Sequence, residues 1–450
     1  MTQVFDLTTL NGSNGFRVNG FSYNVRNAGD MNGDGYDDLV LGSSVIFGKN
    51  TPFSATIDPS MLNGTNGFSI KSDVYTSYEN GPGVAIGDFN GDGFDDLILP
   101  STTLSVVSAS IFFGKGTGFK SIESLDDGGV NVLDLDNPNY DQHIVARSAG
   151  DINGDGMDDV IFSSSAGYGP HQSTVIFGQN SFVSDNIRIG SNGTKGFSLQ
   201  ATDDETTYDS FGDLARGTGD INGDGYDDLI VGSAISVSHD ASYNKLVSAG
   251  SAYVVFGKAS GMSGRFLMTS LDGTNGFRLD GIVSEDLAGY EVSNAGDVND
   301  DGFSDVLIGA PGTDINGNKS GSSYVVFGKA SGFDAVVNLA NLDGTNGFAM
   351  NGLAGDQLGK SVSNAGDVNG DGFGDILIGA GGADNHGVDS GSVYVIFGKS
   401  NGFSATLDLA NLASDAGFRV DGLNAGEQLS SFSAAGDINN DGFDDFTVAN

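Results

Sequence analysis

The sequence predicts an all-β protein, a seven-bladed β-propeller built from four-stranded antiparallel blades. A nine-residue, aspartate-rich segment recurs seven times along the 450 residues. Each copy lies between short apolar runs rich in Val, Ile, Phe and Tyr and bounded by Gly, Asn, Asp and Ser, which is typical of strands. No segment keeps a 3.6-residue period, so no helix is available to cover a sheet face. Strands repeated in this way indicate blades arranged around an axis, and we expect residues 1–450 to form one propeller.

Four strands recur in each repeat. Strand A precedes the aspartate segment and ends in Gly-Asp, as in SVSNAGD at 361–367. Strand B follows it, as in ILIGA at 376–380. Strand C ends in Phe-Gly, as in VYVIFGK at 393–399, and strand D begins with Gly-Phe, as in GFRVDG at 417–422.

The strand count predicts how the ring closes. There are seven A, B and D strands but only six C strands, and the first D strand is GFRVNG at 15–20. We expect this N-terminal strand to complete the blade begun by the last A and B strands. That blade then lacks its C strand, which predicts either that the chain is cut from a longer polypeptide or that its last blade is irregular. The D strand near 128–140 is degenerate.

The aspartate segments carry the chemistry. Positions 1, 5 and 9 are always Asp, position 3 is always Asn, position 6 is always Gly and position 7 is always large and apolar. Position 8 varies, because Ser304 and Gly374 replace Asp there, so we expect it to be dispensable. Side-chain oxygens from positions 1, 3, 5 and 9 and the carbonyl of position 7 suit Ca²⁺, which takes six to eight oxygen ligands. Position 4 is Gly, Asp or Asn, residues that tolerate positive φ, and Gly at position 6 permits a sharp turn. The predicted ligands are Asp30, Asn32, Asp34, Tyr36, Asp38, Asp88, Asn90, Asp92, Phe94, Asp96, Asp151, Asn153, Asp155, Met157, Asp159, Asp220, Asn222, Asp224, Tyr226, Asp228, Asp297, Asn299, Asp301, Phe303, Asp305, Asp367, Asn369, Asp371, Phe373, Asp375, Asp437, Asn439, Asp441, Phe443 and Asp445.

Two other interpretations of these segments are weaker. An EF-hand begins with the same residues but needs a bidentate Glu at position 12, where this chain always has an apolar residue such as Leu41 or Ile378. The segments could also be simple turns, since Asp, Asn and Gly favour turns. Seven copies that keep the oxygen-bearing positions while position 8 varies favour calcium, with up to one ion per blade.

The repeats resemble a known family. The aspartate loops, the Phe-Gly strands and the strand-B ends IGAP at 308–311 and IGAG at 378–381 are similar to the FG-GAP repeats of integrin α-subunit N-terminal propellers. The resemblance implies a seven-bladed propeller with calcium in the A–B hairpins. Integrins carry calcium in only some blades, whereas all seven loops qualify here. Because the chain has no cysteine, it looks more like bacterial secreted or surface proteins that carry similar repeats.

Composition excludes several classes of protein. The formal net charge is −40, and a nucleic-acid binder needs a basic surface. The chain contains no apolar run long enough to span a membrane, so we expect no direct membrane insertion. Met1–Leu10 has neither a cationic region nor an apolar region of a secretory signal. Because cytosolic calcium would leave weak sites empty, we nevertheless expect an extracellular or cell-surface protein, exported by an unknown route.

The face opposite the calcium loops is predicted to bind a protein or glycan ligand. Antiparallel order places the B–C and D–A loops there, and these loops vary most in length, as functional loops do. The longest lies near 232–251. The candidate ligand-binding residues are Tyr208, Asp209, His239 and Tyr243.

Three functions remain open at this stage. The first is a non-catalytic adhesion or ligand-binding propeller similar to integrin α. The second is a polysaccharide lyase or other glycan-processing enzyme, for which Arg147 with His143 and Tyr140 is the nearest cluster in the sequence. The third is a structural repeat module of a larger secreted protein.

Overall fold

A computed structural model describes most of the chain. The described residues are 3–19, 25–71, 84–103, 106–124, 131–135, 142–166, 172–180, 196–201, 208–209, 211–212, 214–234, 236–239, 245–247, 249–260, 262 and 264–449. For some strand residues only the backbone is described.

The described residues form strands and short 3₁₀ turns, with no α-helix among them. The strands are β1 (Val4–Phe5), β2 (Arg17–Val18), β3 (Val25–Gly29), β4 (Asp38–Leu41), β5 (Ser44–Ile46), β6 (Thr56–Ile57), β7 (Gly67–Lys71), β8 (Val84–Gly87), β9 (Asp96–Thr103), β10 (Val106–Phe112), β11 (Ile122–Ser124), β12 (Asn131–Leu135), β13 (Gln142–Gly150), β14 (Asp159–Ala166), β15 (Gln172–Ile176), β16 (Gly196–Gln200), β17 (Tyr208–Asp209), β18 (Ala215–Gly219), β19 (Asp228–Ser233), β20 (Ser236–His239), β21 (Lys245–Val247), β22 (Ser251–Val255), β23 (Gly264–Leu267), β24 (Gly276–Asp280), β25 (Glu291–Gly296), β26 (Asp305–Ala310), β27 (Ser322–Val326), β28 (Val336–Asn338), β29 (Gly347–Asn351), β30 (Leu358–Gly366), β31 (Asp375–Ala380), β32 (Ser392–Ile396), β33 (Thr406–Leu407), β34 (Gly417–Asp421), β35 (Ser431–Gly436) and β36 (Asp445–Ala449). The 3₁₀ turns are Leu7–Thr9, Pro59–Met61, Met268–Ser270, Leu339–Asn341 and Leu409–Asn411.

The strands pair as the blades of a β-propeller, which confirms the predicted fold class. In blades 1 to 6 the strands are antiparallel in the order A-B-C-D. Those blades are β3-β4-β5-β7, β8-β9-β10-β12, β13-β14-β15-β16, β18-β19-β22-β24, β25-β26-β27-β29 and β30-β31-β32-β34. The degenerate D strand of blade 2 forms as β12.

A fifth strand at the outer edge of the blades was not predicted. It comes from the C–D connection of the next blade and pairs in parallel with strand D, as β28 pairs with β24 and β33 pairs with β29. A 3₁₀ turn follows it, and the leucine after that turn is buried, as at Leu342 and Leu412. The recurring pattern NLANLDGTNGF at 338–348 carried this signal in the sequence.

The N-terminal segment connects the last blades of the propeller to the first. Strand β1 supplies the fifth strand of blade 6 by pairing with β34, and β2 pairs with β6 of blade 1. The last A and B strands, β35 and β36, form a two-stranded sheet, and no C strand pairs with it among the described residues. Phe16, which precedes β2, and Val18, which belongs to it, pack with Ala435 and Ile438 of this last blade. The N-terminal strand therefore lies at the predicted place in the ring.

The core is a ring of apolar clusters between neighbouring blades rather than one central core. Seven clusters of buried residues occur among the described parts of the chain, one at each blade junction from 1–2 to 6–7 and back to 7–1. Stacked phenylalanines reinforce several junctions. The ring centroid of Phe348, in strand D of blade 5, lies 4.2 Å from that of Phe403, in the C–D connection of blade 6. The A strands, with their polar side chains, lie nearest the central axis.

Candidate metal centres

Each aspartate loop is anchored at its start by a bulge and a buried side chain. The A–B register shifts two residues before position 1, as between Asn27 and Gly29 in blade 1. The apolar residue at position 2 is buried in six of the seven loops, as at Met31 and Phe89, and partly buried at Val368. Positions 4 and 6 both adopt positive φ, including Asp300 at 61° and Asn440 at 53°. The loops therefore turn back on themselves as the sequence predicted.

The position-1 carboxylate organises the interior of the loop. In blade 1 the two carboxylate oxygens of Asp30 accept the N–H groups of Asp34, at 3.0 Å, and Gly35, at 2.8 Å. The same pair of bonds recurs in the other six loops at 2.7–3.1 Å. Each carboxylate oxygen has two lone pairs, so in blade 1 one per oxygen remains for a cation. In blades 3, 4 and 6 the Oδ1 atom also accepts the N–H of position 4, and only Oδ2 retains a lone pair there.

The side chains at positions 3 and 5 face the same interior. Asn222 accepts the N–H of Asp224 at 2.9 Å and donates its own amide to the Asp224 carboxylate at 3.1 Å. Position 3 also reaches position 9, because the Asn439 amide lies 3.2 Å from the Asp445 carboxylate. Hydrogen bonds thus join position 3 to position 5 or to position 9, while the position-1 carboxylate binds backbone N–H groups of the same loop.

In blades 1 to 6 the position-9 carboxylate is buried and ties the loop to the end of strand C. The Asp375 side chain accepts the N–H of Val368 and the N–H of Gly398, the glycine of Phe-Gly, both at 2.9 Å. Burial, and then repulsion from the aspartates at positions 5 and 1, raises the pKa of this carboxyl to about 9 in Asp38 and about 7 in Asp375. This bond to the end of strand C is a role of position 9 that the sequence interpretation missed. The glycine itself is required by space, because a Cβ at Gly398 would lie 2.5 Å from the carbonyl oxygen of Gly374.

The donor set fits a hard cation. The Oδ1 atom of Asn90, at position 3 of the second loop, is buried and has no hydrogen-bond partner among the described residues. An orphaned oxygen costs free energy unless something binds it, and a cation would satisfy it. No three His, Cys, Asp or Glu side chains in the described parts of the chain form a metal-binding cluster by themselves. The three aspartates of each loop therefore do not converge on one point in this structure, and a bound cation would have to draw them together.

Position 8 has a role that the sequence did not reveal. In blade 2 the Asp95 carboxylate accepts the N–H of Asp30 in blade 1 at 2.7 Å, while the Asp95 N–H donates to the Asp30 carbonyl at 3.3 Å. Where Ser304 and Gly374 replace Asp, only the backbone bond of this pair remains. We call each such pair an inter-blade clasp. The clasps join successive loops around the ring, including Asp37 to Asp437 across the chain ends.

The loops opposite the aspartate segments lie together as predicted. Isolated parallel bridges join B–C loops to D–A loops, as Gly321 to Leu358 and Gly391 to Leu429. The small sheet β17-β20-β21 contains three predicted ligand-binding residues, and Tyr208 lies opposite Val237 in it. Their side chains are not described. The fourth, Tyr243, lies outside the described residues, as does Tyr140 of the lyase cluster.

A groove that was not predicted lies on the same face. It has a volume of about 650 Å³ between residues 282–287 of a D–A loop and residues 312–319 of a B–C loop. Val283 and Ile315 are more than half exposed there. Seven of the twelve exposed large apolar side chains in the described residues lie in the loops of this face: Ile282, Val283, Tyr290, Ile315, Leu353, Val388 and Leu423.

The repeats match a known family in four places. Residues 80–103, 217–255, 288–326 and 358–396 match the FG-GAP repeat. The chain contains FG-GAP repeats. The last three matches each run from strand A through the aspartate loop and strand B to strand C. They therefore include the proposed metal ligands of those three blades.

The chain is also similar to integrin α subunits. It is 27% identical over 256 residues to integrin alpha pat-2 of Caenorhabditis elegans, a match that covers 54% of this chain and 18% of the relative. It is 32% identical over 169 residues to integrin alpha-V of Gallus gallus, covering 37% of this chain and 14% of the relative. Each match thus covers less than a fifth of the relative's length. No helix in the described residues is long and apolar enough to cross a membrane.

Proposed function

We propose that this protein is a calcium-stabilised adhesion or ligand-binding propeller that acts outside the cell or at its surface, without catalysis. The observation that carries the proposal is the division between its two faces, in a chain similar to integrin α subunits. One face consists of hydrogen-bonded aspartate loops joined by clasps. The opposite face consists of loops with exposed apolar side chains.

Calcium is the proposed stabiliser of the first face. The residues at positions 1, 3, 5, 7 and 9 would hold it, and the ion would supply positive charge among the three aspartates of each loop. Without that charge, two carboxylates about 4 Å apart repel by about 4 kcal/mol at an effective dielectric constant near 20. With it, the loops and their clasps keep the seven blades at fixed spacing, so the opposite face is a rigid platform.

The opposite face is proposed to bind a protein. Exposed apolar side chains grouped on one face are typical of protein interaction sites. Around Ile282, Val283 and Ile315 the groove also has charged residues, Glu285, Asp314 and Lys319, as the polar rim of an interface has. We expect these apolar residues to contribute most of the affinity and the charged residues to select the partner.

Binding arrays test the proposal. The calcium-loaded chain is applied to arrays of extracellular proteins and of glycans, with the variants Ile282→Asp/Ile315→Asp and Met61→Asp. Met61 is 72% exposed in a C–D connection and serves as the matched control. We expect a protein ligand that the double variant loses and the control keeps, with unchanged unfolding midpoints.

The other functions give different results in the same experiments. Absence of any hit for the folded chain would support a structural module and contradict the adhesion proposal, and a hit that the double variant retains would place the ligand elsewhere. A glycan hit would favour a glycan ligand. Release of unsaturated uronate from acidic polysaccharides would instead support a lyase.

A further inference from the structure

The central cavity of the propeller is lined by the seven A strands. Its volume is about 490 Å³, within the range of small-molecule sites. The residues four positions before each aspartate loop all line it and form one level of the channel. Around the ring they are Arg26, Val84, Arg147, Arg216, Ser293, Ser363 and Ser433. One side of this level therefore presents three guanidinium groups, and the other side presents three hydroxyl groups.

The arginines are poorly compensated by acidic residues at this level. Arg216 pairs with Glu291, and Arg147 donates to the carbonyl of Ala146 at 2.9 Å. The Nε atoms of Arg26, Arg147 and Arg216 are buried and have no hydrogen-bond partner among the described residues. Burial and then mutual repulsion lower the pKa of Arg26 to about 10. Three guanidinium groups thus face the cavity with one carboxylate between them.

The other carboxylates of the cavity lie at a different level. Asp37 and Asp444 line it as well, but both belong to inter-blade clasps and accept backbone N–H groups of Asp437 and Asp367. The clasps lie beside the glycine that precedes each aspartate loop, three residues along strand A from the arginine level. Three extended residues span at most about 10 Å at 3.3 Å per residue, and the bulge before each aspartate loop shortens this separation.

We propose that the arginine level of the channel binds a small oxyanion with two negative charges, such as sulfate, hydrogen phosphate or a dicarboxylate. Guanidinium groups donate in a planar fork that matches such oxygens, and the serine hydroxyls can donate from the other side. The unpartnered Nε atoms would gain acceptors, and the repulsion between the arginines would be neutralised. The anion would then connect blades 1, 3 and 4 to blades 5, 6 and 7 across the axis.

Equilibrium dialysis of the calcium-loaded full chain against labelled sulfate tests the site. We expect one sulfate bound per chain. Phosphate and succinate should displace it to an extent that ranks the affinity of the site for the three anions. Chloride at equal ionic strength should not displace it. Loss of a charged hydrogen-bond donor should weaken binding at least tenfold in Arg26→Gln and in Arg147→Gln. The control is Arg17→Gln, because Arg17 is exposed and donates to the carbonyl of Leu7 far from the channel.

Three results would overturn the proposal. They are no sulfate bound by the unaltered chain, equal displacement by chloride, and undiminished affinity in both channel variants. The first two need no variant, so the proposal stays falsifiable if a channel variant fails to fold. Sulfate should also raise the unfolding midpoint of the unaltered chain and of Arg17→Gln, and should leave that of the channel variants unchanged.

Discussion

Removing one inter-blade clasp should measure how much the clasps hold the ring together. In Asp95→Ala the N–H of Asp30 loses its acceptor at 2.7 Å, while the backbone bond between the same two residues remains. A hydrogen bond to a charged group contributes about 1.5–3 kcal/mol. Burial of Asp95 and repulsion from Asp30 and Asp88 raise the pKa of its carboxyl. The charged carboxylate is therefore partly destabilised in the folded protein, which reduces the net contribution of the hydrogen bond. We therefore expect a loss of about 1–2 kcal/mol in the free energy of unfolding.

The matched control is the clasp that lacks a carboxylate. Ser304 keeps its N–H bond to the Asp220 carbonyl at 2.9 Å, so Ser304→Ala should change the free energy of unfolding by less than about 0.5 kcal/mol. Both variants are compared by urea denaturation in excess calcium, so that a changed calcium affinity does not contribute. Equal midpoints for Asp95→Ala and Ser304→Ala would refute the assignment of a stabilising role to position 8.

Two further substitutions and one titration test the packing and the turns. Phe403→Ala should cost about 2–3 kcal/mol, less than a fully buried phenylalanine, because it removes the ring stacked 4.2 Å from Phe348; a urea midpoint within error of the unaltered chain would contradict this. Gly398→Ala should destabilise blade 6 by about 1–3 kcal/mol, because a Cβ there would lie 2.5 Å from a backbone oxygen of the aspartate loop; normal expression with an unchanged melting temperature would show that the loop can shift. Hydrogen bonds from Thr345 lower the pKa of the Asp343 carboxyl. The stabilisation of the fold by the charged carboxylate is therefore complete at neutral pH and disappears as the pH falls through the lowered pKa. An NMR titration of the side-chain carboxyl carbon of Asp343 with a midpoint at or above 3.8 would contradict this expectation.

The fold followed from the sequence because the repeats are regular. Seven aspartate segments with apolar runs at constant offsets fix the strand order, and positive φ at Asp300 and Asn440 was expected from residue type alone. The fifth strand was missed because two- and three-residue strands such as β28 and β33 leave no alternating pattern. Their position is visible only when the C–D connections are aligned with each other.

The site was predicted where roles are local and missed where they depend on the neighbouring blade. Bonds from position 1 to positions 5 and 6 lie within one loop, so repetition reveals them. The clasp from Asp95 to Asp30 joins residues 65 apart in the chain, and its variation at Ser304 was interpreted as dispensability. The arginine level of the channel was missed for the same reason, since only Arg147 was singled out and Arg26 and Arg216 are its neighbours only in the closed ring.

Calcium dependence is the most direct test of the central claim. Calorimetric titration of the chelator-treated chain should show up to seven calcium ions bound, with one fewer in Asp34→Ala. With a Kd of about 10⁻⁴ M, typical of extracellular modules, calcium near 1 mM adds about 1.4 kcal/mol per site. The unfolding midpoint should therefore fall sharply on chelation and return when calcium is restored. An unchanged midpoint, with no heat of calcium binding, would contradict the account.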